Sequence, residues 1–269
     1  MTFSIVARSA DGSQWGVAVA SKFLAVGAAV PAARFGVGAL ATQAFANLAY
    51  KSDGLHLLNR GLTAQEVVDT LTADDELRDQ RQLGVVDRDG NAATFTGSAC
   101  NDWAGGRTGE GYAAQGNILT GPEVVDVLAK AFEGNAGPLA HRLYQALLAA
   151  DRAGGDRRGR QSAALYVVSE KGGYGGGSDV LVDVRIDDHE DPVPELGRLL
   201  DLYDLYFGKP DPDTLLPLTG DLLDEVQTRL GRLGFETLDD WAGVENYEER
   251  MVEDSIDPVV LEKLRLASP

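Results

Sequence analysis

Residues 2–23 read TFSIVARSADGSQWGVAVASKF, and this stretch predicts the first hairpin of a sheet. Two apolar runs, 3–8 and 15–20, flank Asp11-Gly12, and an Asp-Gly pair between apolar runs is a strong hairpin signal. Thr2 then lies at the tip of the first strand. Because terminal residues are poorly ordered unless a sheet holds them, a strand that begins at residue 2 indicates a fixed position for Thr2.

The residues that follow alternate between groups of strands and groups of helices. Further strands are predicted at 36–45, 82–86, 92–96, 111–119, 162–169 and 180–186, and helices at 55–58, 64–71, 123–132, 138–148 and 194–206. Thr63 and Glu66 stand in capping-box relation at the start of one helix. Since the strands form hairpins and the helices come in pairs, we expect an α+β fold, a four-layer αββα sandwich of largely antiparallel sheets.

The end of the chain differs in composition. Three prolines in 208–219 predict a linker, and 220–269 reads as a small, mainly helical module with helices at 221–233, 247–251 and 258–266. We therefore expect a first domain over 1–207.

The net charge of −18 is concentrated near the C-terminus, because residues 187–269 carry 22 acidic and 7 basic side chains. An acidic chain repels phosphate backbones, so we expect no nucleic-acid partner. The acidic tail is interpreted as a solvated surface, with a cationic partner as the alternative.

The expected location is the cytoplasm. Cys100 is the only cysteine, which excludes an internal disulfide and favours a reducing compartment. We expect no secretory leader, and no apolar run reaches the 18 residues of a membrane span, so no membrane partner is expected.

The familiar catalytic and cofactor motifs are missing. His56, His141 and His189 lack metal-ligand spacing, no nucleophile elbow occurs, and the glycine-rich run 172–177 lacks the lysine of a phosphate-binding loop. We therefore expect neither a metal nor a cofactor.

Thr2 is the remaining candidate nucleophile. A hydroxyl is a weak nucleophile without a base. Removal of Met1 would free the α-amine of Thr2, whose pKa of about 7.7–8.0 suits a general base. A plain strand residue is the alternative, because β-branched residues favour strands.

The opening hairpin resembles that of N-terminal-nucleophile (Ntn) hydrolases, with Ser21-Lys22 at the polar end of the second strand and Ala20 where proteasome subunits have an acid. Longer segments, VAVASKFLAVGAAVPAARFGVGALATQAFAN (17–47), AAQGNILTGPEVVDVLAKAF (113–132), GGDRRGRQSAALYVV (154–168) and GGYGGGSDVLVDVRIDDHEDPVPELGRLL (172–200), resemble the Ntn-hydrolase-like domain of unknown function 1028 family. This resemblance covers roughly 1–207 and implies the αββα sandwich without supplying a substrate.

The tail resembles a peptidoglycan-binding-like module, through LLDEVQTRLGRLGF (222–235), NYEERM (246–251) and IDPVVLEKL (256–264). Its acidic character and the absence of an export signal favour an intramolecular or dimer-stabilising role over contact with a cell wall.

The resemblance and the matching segments supply the candidate site residues. The catalytic candidates are Thr2, Asn117 and Asp156. The substrate-binding candidates are Ser21, Lys22, Thr42, Gln43, Gln115, Arg160, Gln161 and Ser162. Residues 103–107 are interpreted as a surface loop, with a mobile loop near the site as the alternative.

Three functions stay open. The first is an amidohydrolase that cleaves a small amide or related C–N bond through Thr2. The second is a non-catalytic ligand-binding protein on the same scaffold. The third is a structural component assembled through the tail. By analogy with Ntn folds we expect a homo-oligomer, a dimer or larger, and a small-molecule substrate.

Overall fold

The structure, a computed structural model, describes residues 2–269 and divides into a compact unit that ends at Arg198 and a second unit, Leu199–Pro269. The expected removal of Met1 concerns a residue outside the described part. The predicted domain limits at 207 and 219 stay predictions.

The first unit contains ten strands and six α-helices among its described residues. The strands are β1 (Thr2–Arg8), β2 (Gln14–Ser21), β3 (Pro31–Arg34), β4 (Gly38–Ala44), β5 (Arg81–Asp87), β6 (Ala92–Thr96), β7 (Gly105–Gly109), β8 (Tyr112–Asn117), β9 (Ser162–Ser169) and β10 (Val180–Ile186). The helices are α1 (Val26–Ala29), α2 (Ala49–Asn59), α3 (Ala64–Ala73), α4 (Glu123–Gly134), α5 (Leu139–Arg152) and α6 (Pro192–Phe207), the last of which contains the boundary between the units.

The strands form two antiparallel sheets. The first sheet has the order β10-β9-β2-β1-β8-β7, and the second has the order β3-β4-β5-β6. The first hairpin is confirmed, and β1 lies inside its sheet between β2 and β8. Gly12 turns this hairpin with φ of 73°, a conformation that glycine adopts without steric cost.

The two sheets pack face to face and each is covered by a pair of helices. Helices α4 and α5 pack against the first sheet, and α2 and α3 pack against the second. Val17 and Val19 meet Ala39 and Ala41 between the sheets in one apolar cluster. The α+β fold and its αββα layers are therefore confirmed.

Successive side chains of β1 point alternately to the inner face of the first sheet, toward the second sheet, and to its outer face. Val6 belongs to the apolar cluster between the sheets, and Ser4 bonds Gln43 of the second sheet. Because neighbouring side chains of a strand point to opposite faces, Thr2 shares this inner face. Phe3 lies on the outer face, where its ring approaches Gly155.

A partly buried ion pair ties the second sheet to its helices. Arg81 Nε lies 2.8 Å from Asp75 Oδ2, and Tyr50 Oη donates to the same oxygen at 2.6 Å. The Arg81 guanidinium holds the pKa of Asp75 well below its usual range. Burial, followed by the hydrogen bond to Asp75, raises the pKa of Tyr50.

Two strands of the first unit were not predicted, and one of them corrects an interpretation. Residues 103–107, interpreted as a loop, include the start of β7, which pairs with β8 along its length. The sequence of β7, GGRTG, has no apolar alternation, so only the pairing with β8 identifies it as a strand. The short β3, which begins at Pro31, was also missed.

The second unit is mainly helical, as expected. It contains α7 (Gly220–Leu233), α8 (Leu238–Glu245), α9 (Pro258–Ala267) and a two-stranded ribbon, β11 (Leu216–Pro217) and β12 (Ser255–Ile256). Trp241 of α8 is 2% exposed in its core. The helix predicted at 247–251 is a 3-10 turn, Glu248–Arg250, and α8 was missed because it is only eight residues long.

Across residues 2–269, every helix is too short or too polar to cross a bilayer.

Candidate active site

A row of polar side chains crosses the end of the first sheet. Thr2 is paired with Ser21 on one side and with Asn117 on the other, and Ser21 is paired with Ser162. Because directly opposed residues of antiparallel strands share a face, all four side chains face the second sheet. Each is at most 6% exposed, and Thr2 Oγ1 lies 3.1 Å from Ser21 Oγ.

A network of buried amides lies behind this row. Gln43 Nε2 and Asn117 Nδ2 both donate to Gln82 Oε1, at 2.8 and 2.9 Å. Ser4 Oγ donates to Gln43 Oε1 at 2.6 Å and accepts from Gln115 Nε2 at 2.7 Å. The network joins both sheets and carries no formal charge, so it fixes the inner end of the row without ionisable groups.

The network also touches the main chain of the candidate nucleophile. Gln43 Nε2 lies 3.4 Å from the Thr2 carbonyl oxygen. Within the described residues, Ser21 is the one side chain bonded to Thr2 Oγ1. A serine hydroxyl is not a base at neutral pH, so Ser21 does not supply the proton acceptor that Thr2 would need as a nucleophile.

Asp156 lies at the same end of the sheet. Its Oδ2 accepts from the main-chain N–H of Lys22 at 2.7 Å, and its backbone forms a bridge with Leu119. Lys22 directly follows the strand β2, and Leu119 follows β8. The Asp156 carboxylate is also bonded by Arg158, whose main-chain N–H donates to Oδ1 at 2.8 Å. A carboxylate that is 8% exposed therefore borders the row.

Ser162 fastens the segment that follows β2. Its hydroxyl donates to the Phe23 carbonyl oxygen and accepts from the Val26 N–H at 3.1 Å. Lys22 Nζ donates to the Arg160 carbonyl oxygen at 3.2 Å, so the Lys22 ammonium lies over the loop that leads to β9. Both side chains hold the rim of the site in place.

The structure does not bring Thr42 into the row. Thr42 precedes Gln43 on β4, and neighbouring strand residues point to opposite faces. Its hydroxyl donates instead to the Asn47 carbonyl oxygen at 3.2 Å, on the helix side of the second sheet.

Arg160 and Gln161 also make their hydrogen bonds elsewhere. Arg160 lies 2.8 Å from Asp151 and 3.1 Å from Asp191. The hydrogen bond to Asp151 raises the pKa of Arg160. Gln161 Nε2 donates to Asp188 at 3.0 Å. Arg160 therefore forms ion pairs and Gln161 forms a hydrogen bond outside the row of polar side chains.

Sequence reasoning missed two members of the network, Ser4 and Gln82. Each is a polar residue at an inward position of an otherwise apolar strand, and that pattern is the signal that could have found them. Gly84 supports the network through its missing side chain, because a Cβ there would lie 2.1 Å from Gln115 Oε1.

Within residues 2–269, no three His, Cys, Asp or Glu side chains come together in an arrangement suited to a metal.

Comparisons with known proteins identify the chain. Residues 206–264 match the family described as "Putative peptidoglycan binding domain". The crystal structure of protein SPO2555 from Silicibacter pomeroyi, assigned to the family DUF1028, is similar to this chain, with 31% sequence identity and a TM-score of 0.69. The match covers 83% of this chain and 89% of that one. No curated protein is significantly similar in sequence. Residues 2–196 match "Family of unknown function (DUF1028)", and the chain belongs to that family.

Proposed function

We propose that this protein is an Ntn-type amidohydrolase in which Thr2 cleaves a small amide or a related C–N bond. The position of Thr2 is the observation that carries the proposal. It begins an interior strand, its hydroxyl is held by Ser21, and its carbonyl group is approached by Gln43. A nucleophile needs such rigid placement to reach its near-attack geometry.

The base in this proposal is the α-amine that removal of Met1 exposes on Thr2. The amine takes the hydroxyl proton, and Oγ1 attacks the substrate carbonyl carbon. The C–N bond breaks, the proton passes to the leaving nitrogen, and the acyl group stays on Oγ1 as an ester. Water then hydrolyses the ester, which restores the Thr2 hydroxyl and releases a carboxylic acid.

We assign the developing oxyanion to Asn117, which lies beside Thr2 in the sheet. One N–H of its amide is held by Gln82, and the other has no partner among the described residues. A preorganised donor of this kind stabilises the charge that develops in the transition state. We assign to Asp156 the orientation of the α-amine, because its carboxylate is fixed at the same end of the sheet.

We further propose that the protein works in the cytoplasm as a homo-oligomer on a small-molecule substrate. The single, half-buried Cys100 supports a reducing location. Light scattering of the full chain measures the oligomeric state directly.

The test uses a β-lactone probe that acylates nucleophilic hydroxyls. Intact mass spectrometry first establishes that Met1 is absent from the purified protein. We expect one adduct per chain, mapped to Thr2, which Thr2→Ala abolishes and Thr2→Ser retains. Asn117→Ala should slow acylation about a hundredfold, the usual effect of losing one oxyanion donor. Thr70→Ala, which changes an exposed threonine, is the matched control.

A retained Met1, or labelling that survives Thr2→Ala, would overturn the hydrolase. A ligand-binding protein without covalent chemistry is then the better interpretation. The burial of Thr2, which is 6% exposed, and the mutual bonding of the buried amides favour that alternative.

A further inference from the structure

A cavity lies at the end of β1 opposite Thr2, where Arg8 is the last residue. Its volume is about 510 Å³, within the range of small-molecule sites. Thr2 is six residues away along an extended strand, a distance of about 20 Å, so this cavity is separate from the candidate active site. The side chains that matter below are Arg8, Asp89, Glu110, Tyr112, Glu133 and Arg142.

The walls of the cavity are joined through the main chain. The Arg8 N–H donates to the Gly111 carbonyl oxygen at 2.9 Å, and the Gly111 N–H donates to the Gly90 carbonyl oxygen at 3.2 Å. These bonds connect the end of β1 to the β7–β8 turn and then to the β5–β6 turn. Helices α4 and α5 contribute the remaining lining, so the cavity is formed before any ligand enters.

Arg142 lines this space, and no carboxylate of residues 2–269 forms an ion pair with its guanidinium. Its guanidinium lies 4.1 Å from the centre of the Phe132 ring, and Nη2 donates to the Phe132 carbonyl oxygen at 3.1 Å. Its Nε is buried and has no hydrogen-bond partner among the described residues. Burial lowers the pKa of Arg142, which indicates a guanidinium deprived of water and not compensated by an acid.

Arg8 repeats this arrangement from the other side. Its guanidinium lies 5.7 Å from the Trp15 ring, and its Nε is also buried without a partner in the described chain. Gly12 leaves room for it, because a Cβ there would lie 2.1 Å from Arg8 Nη2. A buried donor left unbonded destabilises a protein, so two such arginines at one cavity indicate a missing acceptor.

The same cavity holds acidic groups of two kinds. Glu133 is already engaged, because it accepts from the Tyr112 hydroxyl and lies 3.7 Å from Arg107. Burial first, and then that bond, raise the pKa of Tyr112 to about 12. Asp89 and Glu110 are exposed, and the described residues place no cation within ion-pair distance of either.

Unneutralised charges of both signs therefore line one cavity. A dianion such as phosphate would be attracted by the arginines and repelled by Asp89 and Glu110. A simple amine would be attracted by Asp89 and Glu110 and repelled by the arginines. A molecule that carries a carboxylate and an ammonium group satisfies both sets, since guanidinium groups bind carboxylates with charge-assisted hydrogen bonds.

We propose that this cavity binds a free α-amino acid. Its carboxylate lies against Arg8 and Arg142, and its ammonium group faces Asp89 and Glu110. The site is independent of Thr2 chemistry and forms no covalent bond with the ligand.

The test is isothermal titration calorimetry on the full chain with each of the twenty L-amino acids, the decarboxylated and deaminated analogues of any that bind, and inorganic phosphate. At least one amino acid should bind, and both of its analogues should bind about tenfold more weakly or worse. Arg142→Gln and Glu110→Gln should each weaken binding about tenfold or more. The matched control, Arg60→Gln, changes an exposed arginine at the end of α2 and should leave the affinity unchanged.

Several outcomes would overturn the proposal. They are no binding by any amino acid, equal binding of the deaminated acid or of phosphate, and an unchanged affinity in Glu110→Gln, a surface change that leaves folding intact. Thr2→Ala should bind as the wild type does, so failure of the hydrolase and failure of this site give different results.

Discussion

Gln82→Met is the sharpest test of the amide network between the sheets. The Gln82 side chain accepts from Gln43 and Asn117 and donates to the Gly116 carbonyl oxygen at 2.6 Å. Methionine fills a similar volume, so the substitution changes the packing energy little. It provides none of these hydrogen bonds. The Asn117 donor loses its one partner in the described chain.

The expected cost follows from the groups left unbonded. Each buried donor without a partner costs about 1–3 kcal/mol, and Gln43 keeps a long contact of 3.4 Å to the Thr2 carbonyl oxygen. We therefore expect a loss of about 3 kcal/mol in the free energy of unfolding. For a unit of this size that lowers Tm by about 6–12 °C.

Urea denaturation followed by circular dichroism measures the loss, with Gln65→Met as the matched control. Gln65 is exposed and, among the described residues, its side chain bonds Asp69 alone, so its variant should stay within about 0.5 kcal/mol of the wild type. If Gln82→Met costs no more than Gln65→Met, the network does not stabilise the interface between the sheets.

Three further perturbations probe other contacts. Asp75→Asn should lower the stability at pH 7 by about 3 kcal/mol. Because the pKa of Asp75 is depressed by Arg81 in the folded state, the deficit against the wild type should shrink as pH falls below about 4 in denaturation curves. Thr63→Ala removes a helix cap and should cost about 1 kcal/mol by urea denaturation, and no change would contradict the capping role. Gly84→Ala should lower Tm because of its clash with the Gln115 amide, and Gln115→Ala in the same chain should restore most of the loss; failure of that rescue would refute the steric explanation.

The fold could be predicted wherever local chemistry carried the information. Asp11-Gly12 marked the first hairpin, and the capping box at Thr63 marked α3; both are present in the structure. The strand β7 could not be predicted from its own residues, because five residues rich in glycine become a strand only when β8 supplies the partner. Short elements that depend on tertiary partners escape a local reading of sequence.

The candidate site was predictable in part: the missing motifs and the α-amine argument indicated Thr2, and the segments that carry the resemblance supplied Asn117 and Asp156. The structure adds the reason they lie together, since strand register joins Thr2 to Asn117 and a side-chain bond holds Asp156 beside Lys22. Gln82 was within reach of sequence reasoning as a polar residue in an apolar strand. Thr42 lies on the face of the second sheet opposite the site. Which face it occupies depends on where β4 begins, and the ends of helices and strands are the least reliable part of such predictions.

The position of β1 limits how its two ends could influence each other. Seven register pairs hold it to β2 and six hold it to β8, so it cannot slide along its axis unless both ladders break together. Such a strand acts as a fixed spacer and transmits no displacement from Arg8 to Thr2. Occupancy at the arginine end should therefore leave the threonine end geometrically unaltered, and the two ends should respond to mutation additively.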